Sequence, residues 1–222
     1  MKRNFMAGGR PLTQPTVRRL SEYLLMLEQL QKEGRDVVSS RELAALYGNT
    51  PSQIRQDLFR LPQTGRVGQG YQVAGLAAAI RAALGLDRLT RVAIVGCGKL
   101  GSALAEHVPF STYGMSLAGL FDRDPAVIGS RHGGVKVENV SRLAPTVLHR
   151  EITIAALCVP PEAAQELTDH LVGARIRGIL NYTRQRLRVP ANVHVQDRQV
   201  ICSFMQVACL SRGIPAGGFV QP

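Results

Sequence analysis

The sequence predicts an α/β chain of 222 residues in which a small helical domain precedes a parallel β-sheet covered by helices. Three apolar patterns with helical spacing and N-capping residues occupy the N-terminal part of the chain. From Arg91 onward, short continuous apolar runs alternate with helical patterns, which is typical of a parallel sheet buried on both faces. We therefore expect domains at residues 1–85 and 86–198, followed by a C-terminal helix and tail at 199–222.

The composition favours a folded protein, and its charge fits either a polyanionic partner or a solubilising surface without one. Hydrophobic residues make up 45% of the chain and charged residues 19%, unlike the composition of disordered proteins. Lys and Arg number 27 against 16 Asp and Glu, a net charge of +11, and residues 1–85 hold 12 of these basic and 6 of these acidic side chains. Charge of this sign attracts nucleic acid or an acidic membrane surface.

The sequence carries no pattern of a signal peptide, a membrane helix, a zinc site or a disulfide framework. No apolar run approaches the length of a membrane span, and the four cysteines are scattered without paired spacing. We therefore expect a cytoplasmic protein that binds no membrane and no metal, with reduced and mostly buried thiols.

The first domain is predicted to contain three helices and a hairpin. The first helix spans Pro15–Lys32, and Ser39 with Glu42 fits a capping box ahead of the second. Thr50 and Gln53 repeat that pattern at the start of the third helix. Two short extended pieces, Arg66-Val67 and Tyr71–Val73, then flank a glycine-rich turn, and an alanine-rich helix follows at Ala74–Leu84.

This order of elements is that of a winged helix-turn-helix, whose third helix enters the major groove of DNA while the wing contacts the backbone. Ile54, Leu58 and Leu61 form the inner face of the third helix. The residues that point broadly the other way are Ser52, Gln56, Phe59 and Arg60, with Arg55 at the flank, and Gln56 and Arg60 are long enough to reach bases or phosphates. A helical protein-interaction module without a DNA role is the alternative.

The second domain opens with the stretch RVAIVGCGKLGSALAEH, in which Gly96, Gly98 and Gly101 form a G-x-G-x-x-G motif between a strand and a helix. Asp122 follows Gly101 by 21 residues and ends the next apolar strand, where its carboxylate can accept the ribose hydroxyls of NAD. Together these features predict a doubly wound Rossmann domain that binds a dinucleotide. The predicted strands are 92–95, 117–121, 152–159 and 178–182, and the predicted helices are 99–107, 140–149 and 161–173.

The second domain lacks the parts of a dehydrogenase. Hydride transfer needs a positioned acid or base, and the best candidate is His194, an isolated histidine near a late strand. The chain also has no room for a separate substrate domain. We therefore expect a regulator without catalytic residues, in which the cofactor is sensed, and the alternative is a small NAD-dependent oxidoreductase.

The chain resembles the redox-sensing transcriptional repressor Rex family over roughly residues 10–210. The matching stretches are GRPLTQPTVRRLSEYLLMLEQL, VSSRELAALYGNTPSQIRQDL, RVGQGY, VAIVGCGKLGSAL, GLFDRDP, VPPEAAQEL and GILNYTRQRLRVPANVHV. The resemblance implies a homodimer that binds a palindromic double-stranded DNA operator, carries NAD(H), leaves DNA when NADH rises, and exchanges a domain-swapped C-terminal helix. The residues from Val200 to Leu210 fit such a helix, because apolar or small side chains lie nearly all round it.

The motifs and the resemblance together give the candidate site residues. The cofactor-binding candidates are Gly96, Cys97, Gly98, Lys99, Leu100, Gly101, Asp122, Val159, Pro160 and Asn181. The DNA-binding candidates are Arg10, Ser39, Ser40, Thr50, Ser52, Gln53, Arg55, Gln56, Arg60, Arg66, Gly70 and Tyr71.

Three single positions depart from the family pattern, as do the stretch 60–62 and the tail SRGIPAGGFVQP. Lys99 stands where the family usually has Asn, His107 where it has Tyr, and Gln199 where it has Asp. In the family that Tyr and Asp join an arginine near the first helix, here Arg18 or Arg19, in a network that links cofactor state to head position. The departures leave open a DNA-binding regulator whose NADH response is lost or replaced by another ligand or by oxidation of Cys97.

Overall fold

The computed structural model of the chain describes residues 6–7, 10–62 and 70–212. It divides into two compact units, one running to Asp87 and the other beginning at Arg88. The predicted fold class is confirmed, since a helical unit precedes a Rossmann-like parallel sheet. Within the described ranges, no helix is both long and apolar enough to cross a membrane.

The N-terminal unit is built on helices, with short strands between them. Its elements are β1 (Met6–Ala7), β2 (Arg10–Pro11), α1 (Gln14–Lys32), β3 (Val37–Val38), α2 (Ser40–Tyr47), α3 (Pro51–Leu58), β4 (Tyr71–Gln72) and α4 (Val73–Ala83). The largest fully buried side chains come from all four helices of this unit: Leu20, Tyr23, Leu24 and Leu27 on α1, Leu43 on α2, Ile54 and Leu58 on α3, and Leu76 and Ile80 on α4. All four predicted helices of this unit are therefore confirmed.

The two predicted helix caps differ in the structure. Ser39 and Glu42 form the complete capping box at α2, with each side chain bonded to the other residue's backbone N–H. At α3, the Thr50 hydroxyl accepts from the Gln53 N–H at 3.2 Å, but the Gln53 side chain does not return to Thr50. It donates to Asp57 instead at 3.2 Å, so the prediction of a second capping box is wrong.

The strands near the predicted wing also differ from expectation. β4 pairs antiparallel with β3, a strand that the sequence analysis did not predict, and Val73 already begins α4. The other predicted extended piece, Arg66-Val67, lies outside the described residues. Gly70 precedes β4 with a φ of +76°, and a Cβ there would lie 2.9 Å from the Val38 carbonyl oxygen, so this turn requires glycine.

A buried ion pair fastens α3 to α1. Arg19 donates two hydrogen bonds to the Asp57 carboxylate, at 2.6 and 2.8 Å, and Asp57 is only 2% exposed. The Tyr23 hydroxyl donates to the same carboxylate at 3.1 Å. Burial and the nearby Asp57 carboxylate raise the pKa of Tyr23, so the phenol keeps its proton and continues to donate. Both carboxylate oxygens of Asp57 therefore accept hydrogen bonds.

The second unit contains the sheet and its covering helices. Its elements are β5 (Thr90–Val95), α5 (Lys99–His107), β6 (Met115–Asp122), β7 (Arg131–His132), β8 (Val135–Asn139), α6 (Leu143–His149), β9 (Ile154–Leu157), α7 (Pro161–Gly173), β10 (Gly178–Asn181), β11 (His194–Asp197) and α8 (Val200–Ser211). The predicted strands and helices are confirmed, although a 3₁₀ turn at Val140–Arg142 replaces the start of the predicted helix 140–149. Strands β7, β8 and β11 were not predicted.

The strand order of the sheet creates a crevice at the carboxyl ends of its central strands. The order is β11-β10-β9-β5-β6-β8-β7, and every pairing is parallel except that of β7 with β8. Successive connections therefore run one way from β5 through β6 to β8, and the other way from β9 through β10 to β11. The direction reverses between β5 and β9, and ligands of such folds bind beyond the carboxyl ends of the strands at that point.

The last helix exposes its apolar side chains. None of the residues of α8 is buried within the chain, and six large apolar ones are more than half exposed: Val200, Ile201, Phe204, Met205, Val207 and Leu210. Exchange of this helix with a second copy stays a prediction. The expectation of mostly buried thiols is wrong, because Cys158 is only half-buried and Cys202 and Cys209 on α8 are exposed.

Replacing Asp57 with Ala is expected to destabilise the N-terminal unit by about 3 kcal/mol, because it leaves the Arg19 guanidinium without its buried partner. Urea unfolding followed by circular dichroism measures the change. Arg18→Ala is the matched control, since Arg18 pairs with Glu22 on the surface of the same helix and such pairs contribute about 0.3–0.5 kcal/mol. Equal losses in the two variants would contradict the role of the buried pair.

Candidate functional site

The glycine loop joins β5 to α5 at the crevice. Gly96 has a φ of +91°, and a Cβ at this position would overlap the backbone carbonyl of Cys158 at the end of β9. A Cβ on Gly101 would overlap the carbonyl oxygen of Gly96. Both glycines are therefore demanded by the close approach of the protein's own backbone.

Gly98 is different, because a Cβ there would meet no atom within 4 Å. It is the N-cap of α5, has extended backbone angles that any residue can adopt, and provides no side chain to cap the helix. The first N–H groups of a helix lack intrahelical partners and favour an anion. The open space beside Gly98 is thus suited to a phosphate that approaches the backbone closely.

Asp122 ends β6 beside this loop and holds it. Its Oδ2 accepts a hydrogen bond from the Cys97 N–H at 2.6 Å, and its Oδ1 accepts from the Asp124 N–H at 2.9 Å. A carboxylate offers about two acceptor positions on each oxygen, so both oxygens can still accept a ribose hydroxyl. The sequence suggested contact with the ribose, and the bond to the loop was not foreseen.

The remaining candidates around the crevice differ in what they can contact. Lys99 and Leu100 are exposed in the first turn of α5, and Pro160 is exposed at the start of α7. Val159 is half-buried, and its side chain would lie 2.9 Å from a Cβ on Gly96. These residues surround the carboxyl ends of β5 and β9.

Asn181 is fully buried, and its amide is already engaged within the chain. Its Nδ2 donates to the Gln185 carbonyl at 2.9 Å and to Asp197 Oδ1 at 2.7 Å. Its Oδ1 accepts from the Thr183 N–H and hydroxyl at 3.0 and 2.7 Å. With both donors used, Asn181 can shape the floor of the crevice but has no free N–H to offer a ligand.

The thiols at this site are protonated at neutral pH. Burial, together with the Asp122 carboxylate, raises the pKa of Cys97 to about 11. Burial also raises the pKa of Cys158 to about 12, and Cys97 adds to this effect. Because the thiolate is the reactive form, neither cysteine has the electropositive setting of a redox-sensing thiol.

The histidine that an enzyme would use, His194, lies at the amino ends of the strands, opposite to the glycine loop. His194 is the first residue of β11, the outermost strand on one side of the sheet, which runs parallel to its neighbour β10. The glycine loop follows the last residue of β5, so it lies at the carboxyl ends of the strands. A strand of four residues spans about 13 Å, which is far beyond hydrogen-bonding distance.

The N-terminal unit presents the second set of candidates. Ser52, Arg55 and Gln56 are exposed on one side of α3, and Arg60 is half-exposed beyond its end. The Arg55 guanidinium donates to the Ser40 hydroxyl at 3.3 Å and makes no ion pair within the described ranges. Burial raises the pKa of the half-buried Tyr71, and the charge of nearby Arg55 opposes this shift.

Several other DNA-binding candidates serve the fold itself. The Ser39 and Thr50 hydroxyls cap α2 and α3, and Gln53 is bonded to Asp57. Arg66 lies outside the described residues, and only the backbone of Arg10, in β2, is described. The burial of Asp57 was not predicted from the sequence, whereas Phe59 at the end of α3 was predicted to point outward and is exposed.

The two arginines that the resemblance assigns to the family network, Arg18 and Arg19, are both paired within this unit. Arg19 is engaged by the buried Asp57, and Arg18 pairs with Glu22 at 3.1 Å. His107 is exposed at the end of α5, and Gln199 is exposed before α8. Use of the Nε donor of Arg19, or of its bonded Nη2 donor, in another contact would require the buried pair to break.

Fold and site together define a ligand-responsive regulator with a winged-helix unit and a dinucleotide-binding type of sheet. Residues 12–58 match the family model described as putative DNA-binding protein N-terminus, and residues 87–185 match that described as CoA binding domain. The chain belongs to the redox-sensing transcriptional repressor Rex family. It is 39% identical to the Rex repressor of Solidesulfovibrio magneticus, over 87% of this chain and 88% of that one. With the Rex repressor of Syntrophomonas wolfei it shares 40% identity, over 84% of this chain and 89% of the relative.

Solved structures of a Rex-family repressor called RSP share the fold. RSP in complex with β-NAD⁺ and operator DNA matches with a TM-score of 0.84 and 35% identity, over 90% of this chain and 93% of RSP. RSP in complex with β-NADH matches with a TM-score of 0.83 and 34% identity, over 91% and 95% of the two chains. The likeness spans both units of the present chain.

Replacing Gly101 with Ala is expected to lower the stability of the sheet unit by about 3 kcal/mol, since the added methyl group collides with the Gly96 backbone. Urea unfolding measures the loss. Gly98→Ala is the matched control and is expected to unfold at an unchanged urea concentration, because its methyl group enters open space. An unchanged midpoint for Gly101→Ala would contradict the close helix approach.

Cys97 is expected to resist alkylation at pH 7.5, because a pKa near 11 leaves its thiolate fraction about 300-fold below that of an ordinary thiol. As the pH rises toward 9.5, the thiolate population and the labelling rate should increase about a hundredfold. Mass spectrometry of the native protein treated with iodoacetamide measures the rate, with the urea-unfolded chain as control. Fast labelling of native Cys97 at pH 7.5 would restore thiol oxidation as a candidate signal.

Proposed function

We propose that this chain is a DNA-binding transcriptional repressor that responds to the ratio of NADH to NAD⁺. The observation that carries the proposal is the open space at Gly98, bordered by the start of α5 and the Asp122 carboxylate, in a chain that also holds a basic winged-helix unit. RSP, with about a third of its residues identical, has been solved with β-NAD⁺ and operator DNA and with β-NADH.

In the proposed mechanism, α3 enters the major groove and positions Arg55 and Gln56 against the DNA. Gly98 and the first N–H groups of α5 would hold the phosphates of the dinucleotide, and Asp122 would hold the adenosine ribose. NADH and NAD⁺ can shift the DNA-bound population only through a difference in their affinities for the two conformations of the repressor. Such a repressor acts on the chromosome, and we infer a cytoplasmic location from that role.

A homodimer is part of the proposal. An operator with two-fold symmetry requires two winged-helix units, and the six exposed apolar side chains of α8 form a surface that a second copy would cover. Such an arrangement provides each protomer with a partner for its last helix.

We infer that the chain is not an enzyme. A dehydrogenase would need a proton donor or acceptor at the nicotinamide end of the site. His194, the best histidine candidate, begins β11 at the amino ends of the parallel strands, while the glycine loop follows β5 at their carboxyl ends.

A second candidate is a DNA-binding repressor that does not respond to NADH. The engagement of Arg19 by Asp57, with His107 and Gln199 in place of the family Tyr and Asp, favours it. Both candidates share the DNA-binding step, so one titration distinguishes them.

NADH is expected to weaken operator binding by about 5–150-fold, the range of typical allosteric couplings, and NAD⁺ is expected to leave it intact. The measurement is fluorescence anisotropy of duplex DNA, selected from a random library by this protein and titrated with each nucleotide. Gly98→Ala should keep DNA affinity and lose the NADH response, because its methyl group fills the space for the phosphates. DNA that stays bound at saturating NADH would favour the second candidate.

A further inference from the structure

The outward face of α3 is centred on an aromatic side chain. At about 100° per residue, Phe59 lies about 20° from Ser52 around the helix axis, between Arg55 on one side and Gln56 on the other. The Phe59 N–H donates to the Arg55 carbonyl oxygen at 2.8 Å, so the helical path extends to this residue. The buried side chains point the opposite way: Ile54, Asp57 and Leu58.

Phe59 is 88% exposed, the highest fraction among the large apolar side chains that the structure describes. Single apolar residues on a surface are ordinary and need no explanation by themselves. The position of Phe59 is what matters here, because its ring stands between two long polar side chains that face DNA under the proposed function.

The charge of this face favours a polyanion over a protein partner. Asp57 is the one acidic residue of α3, and it points inward, where Arg19 neutralises it. Arg55, on the outward side, has no carboxylate partner within the part of the chain that the structure describes. The face therefore combines a free positive charge with an apolar ring and carries no acid.

We propose that Phe59 contacts the 5-methyl group of a thymine in the major groove, and so selects the operator sequence at that position. This inference rests on the proposed DNA binding. In the major groove, the thymine methyl is the apolar feature that distinguishes one base pair from another, and apolar side chains contact it. Arg55 and Gln56 would contact phosphates or base edges on either side of the ring.

The test compares thymine with uracil, which lacks only the methyl group. Operator DNA selected from a random library is prepared with uracil replacing one thymine at a time, and its affinity for the protein is measured by fluorescence anisotropy. For the wild-type protein, one such replacement should weaken binding about three- to fivefold, as expected for one buried methyl group. Phe59→Ala should weaken binding to the thymine duplex and show no further loss on the uracil duplex.

Two control variants separate this inference from the proposed function. Arg55→Ala should weaken binding and keep the wild-type discrimination between thymine and uracil. Leu46→Ala removes an exposed leucine of α2, 59% exposed, and should change neither property. Because Phe59 and Leu46 are exposed, thermal unfolding of both variants should match that of the wild type.

Several outcomes would overturn the inference. If Arg55→Ala weakens binding but Phe59→Ala does not, the ring makes no contact with DNA although the proposed function stands. If Phe59→Ala lowers the affinity for both duplexes by the same factor, so that the variant keeps the wild-type loss from thymine to uracil, the thymine contact is refuted. If the variant changes only the oligomeric state in sedimentation, the ring belongs to a protein interface. If the selection enriches no sequence, the proposed function itself fails, and the inference fails with it.

Discussion

The contact between Gly101 of α5 and the Gly96 carbonyl sets the geometry of the sheet unit. Because no side chain separates them, the first turn of the helix lies against the end of β5. The same turn brings Gly96 against the backbone of Cys158, so the ends of β5 and β9 are held together at the point where the strand order reverses. The crevice is therefore a consequence of two glycines whose role is steric.

A comparable constraint governs the N-terminal unit, although its chemistry is electrostatic. Asp57 can be buried only with its charge compensated, and Arg19 and Tyr23 on α1 supply that compensation. A buried ion pair specifies which side of α3 faces inward more strictly than interchangeable leucines would. The polar and basic side chains of the opposite face thereby acquire a fixed direction, which a recognition helix requires.

Much of the fold could be predicted from patterns local to the sequence. The helices 99–107 and 161–173 were predicted at the bounds observed, because each follows a strong signal, a glycine loop in one case and a proline start in the other. The strands β3, β7, β8 and β11 were not predicted, since they have five residues or fewer and lack a distinctive apolar run. Apart from the local hairpin of β7 with β8, their pairing depends on partners distant in the chain.

The candidate site was predictable to the extent that it depends on backbone shape. The glycine motif and Asp122 identified the crevice, but the hydrogen bonds that engage Asp122 and Asn181 join residues that no local pattern connects. The burial of the Asp57 side chain was also not predicted, because a single acidic residue on a helix is usually exposed to solvent. Its partner Arg19 lies 38 residues away.

The hydrogen bond from the Cys97 N–H to Asp122 has a thermodynamic consequence for cofactor selection. It fixes the carboxylate before any nucleotide arrives, so the entropy of ordering that side chain, about 0.5–1.5 kcal/mol, is lost during folding instead of binding. This preorganisation benefits NAD⁺ and NADH equally, because the two share the same adenosine. Under the proposed function, any preference between them must therefore originate at the nicotinamide ring, where their charge and shape differ, because the adenosine that Asp122 would bind is common to both.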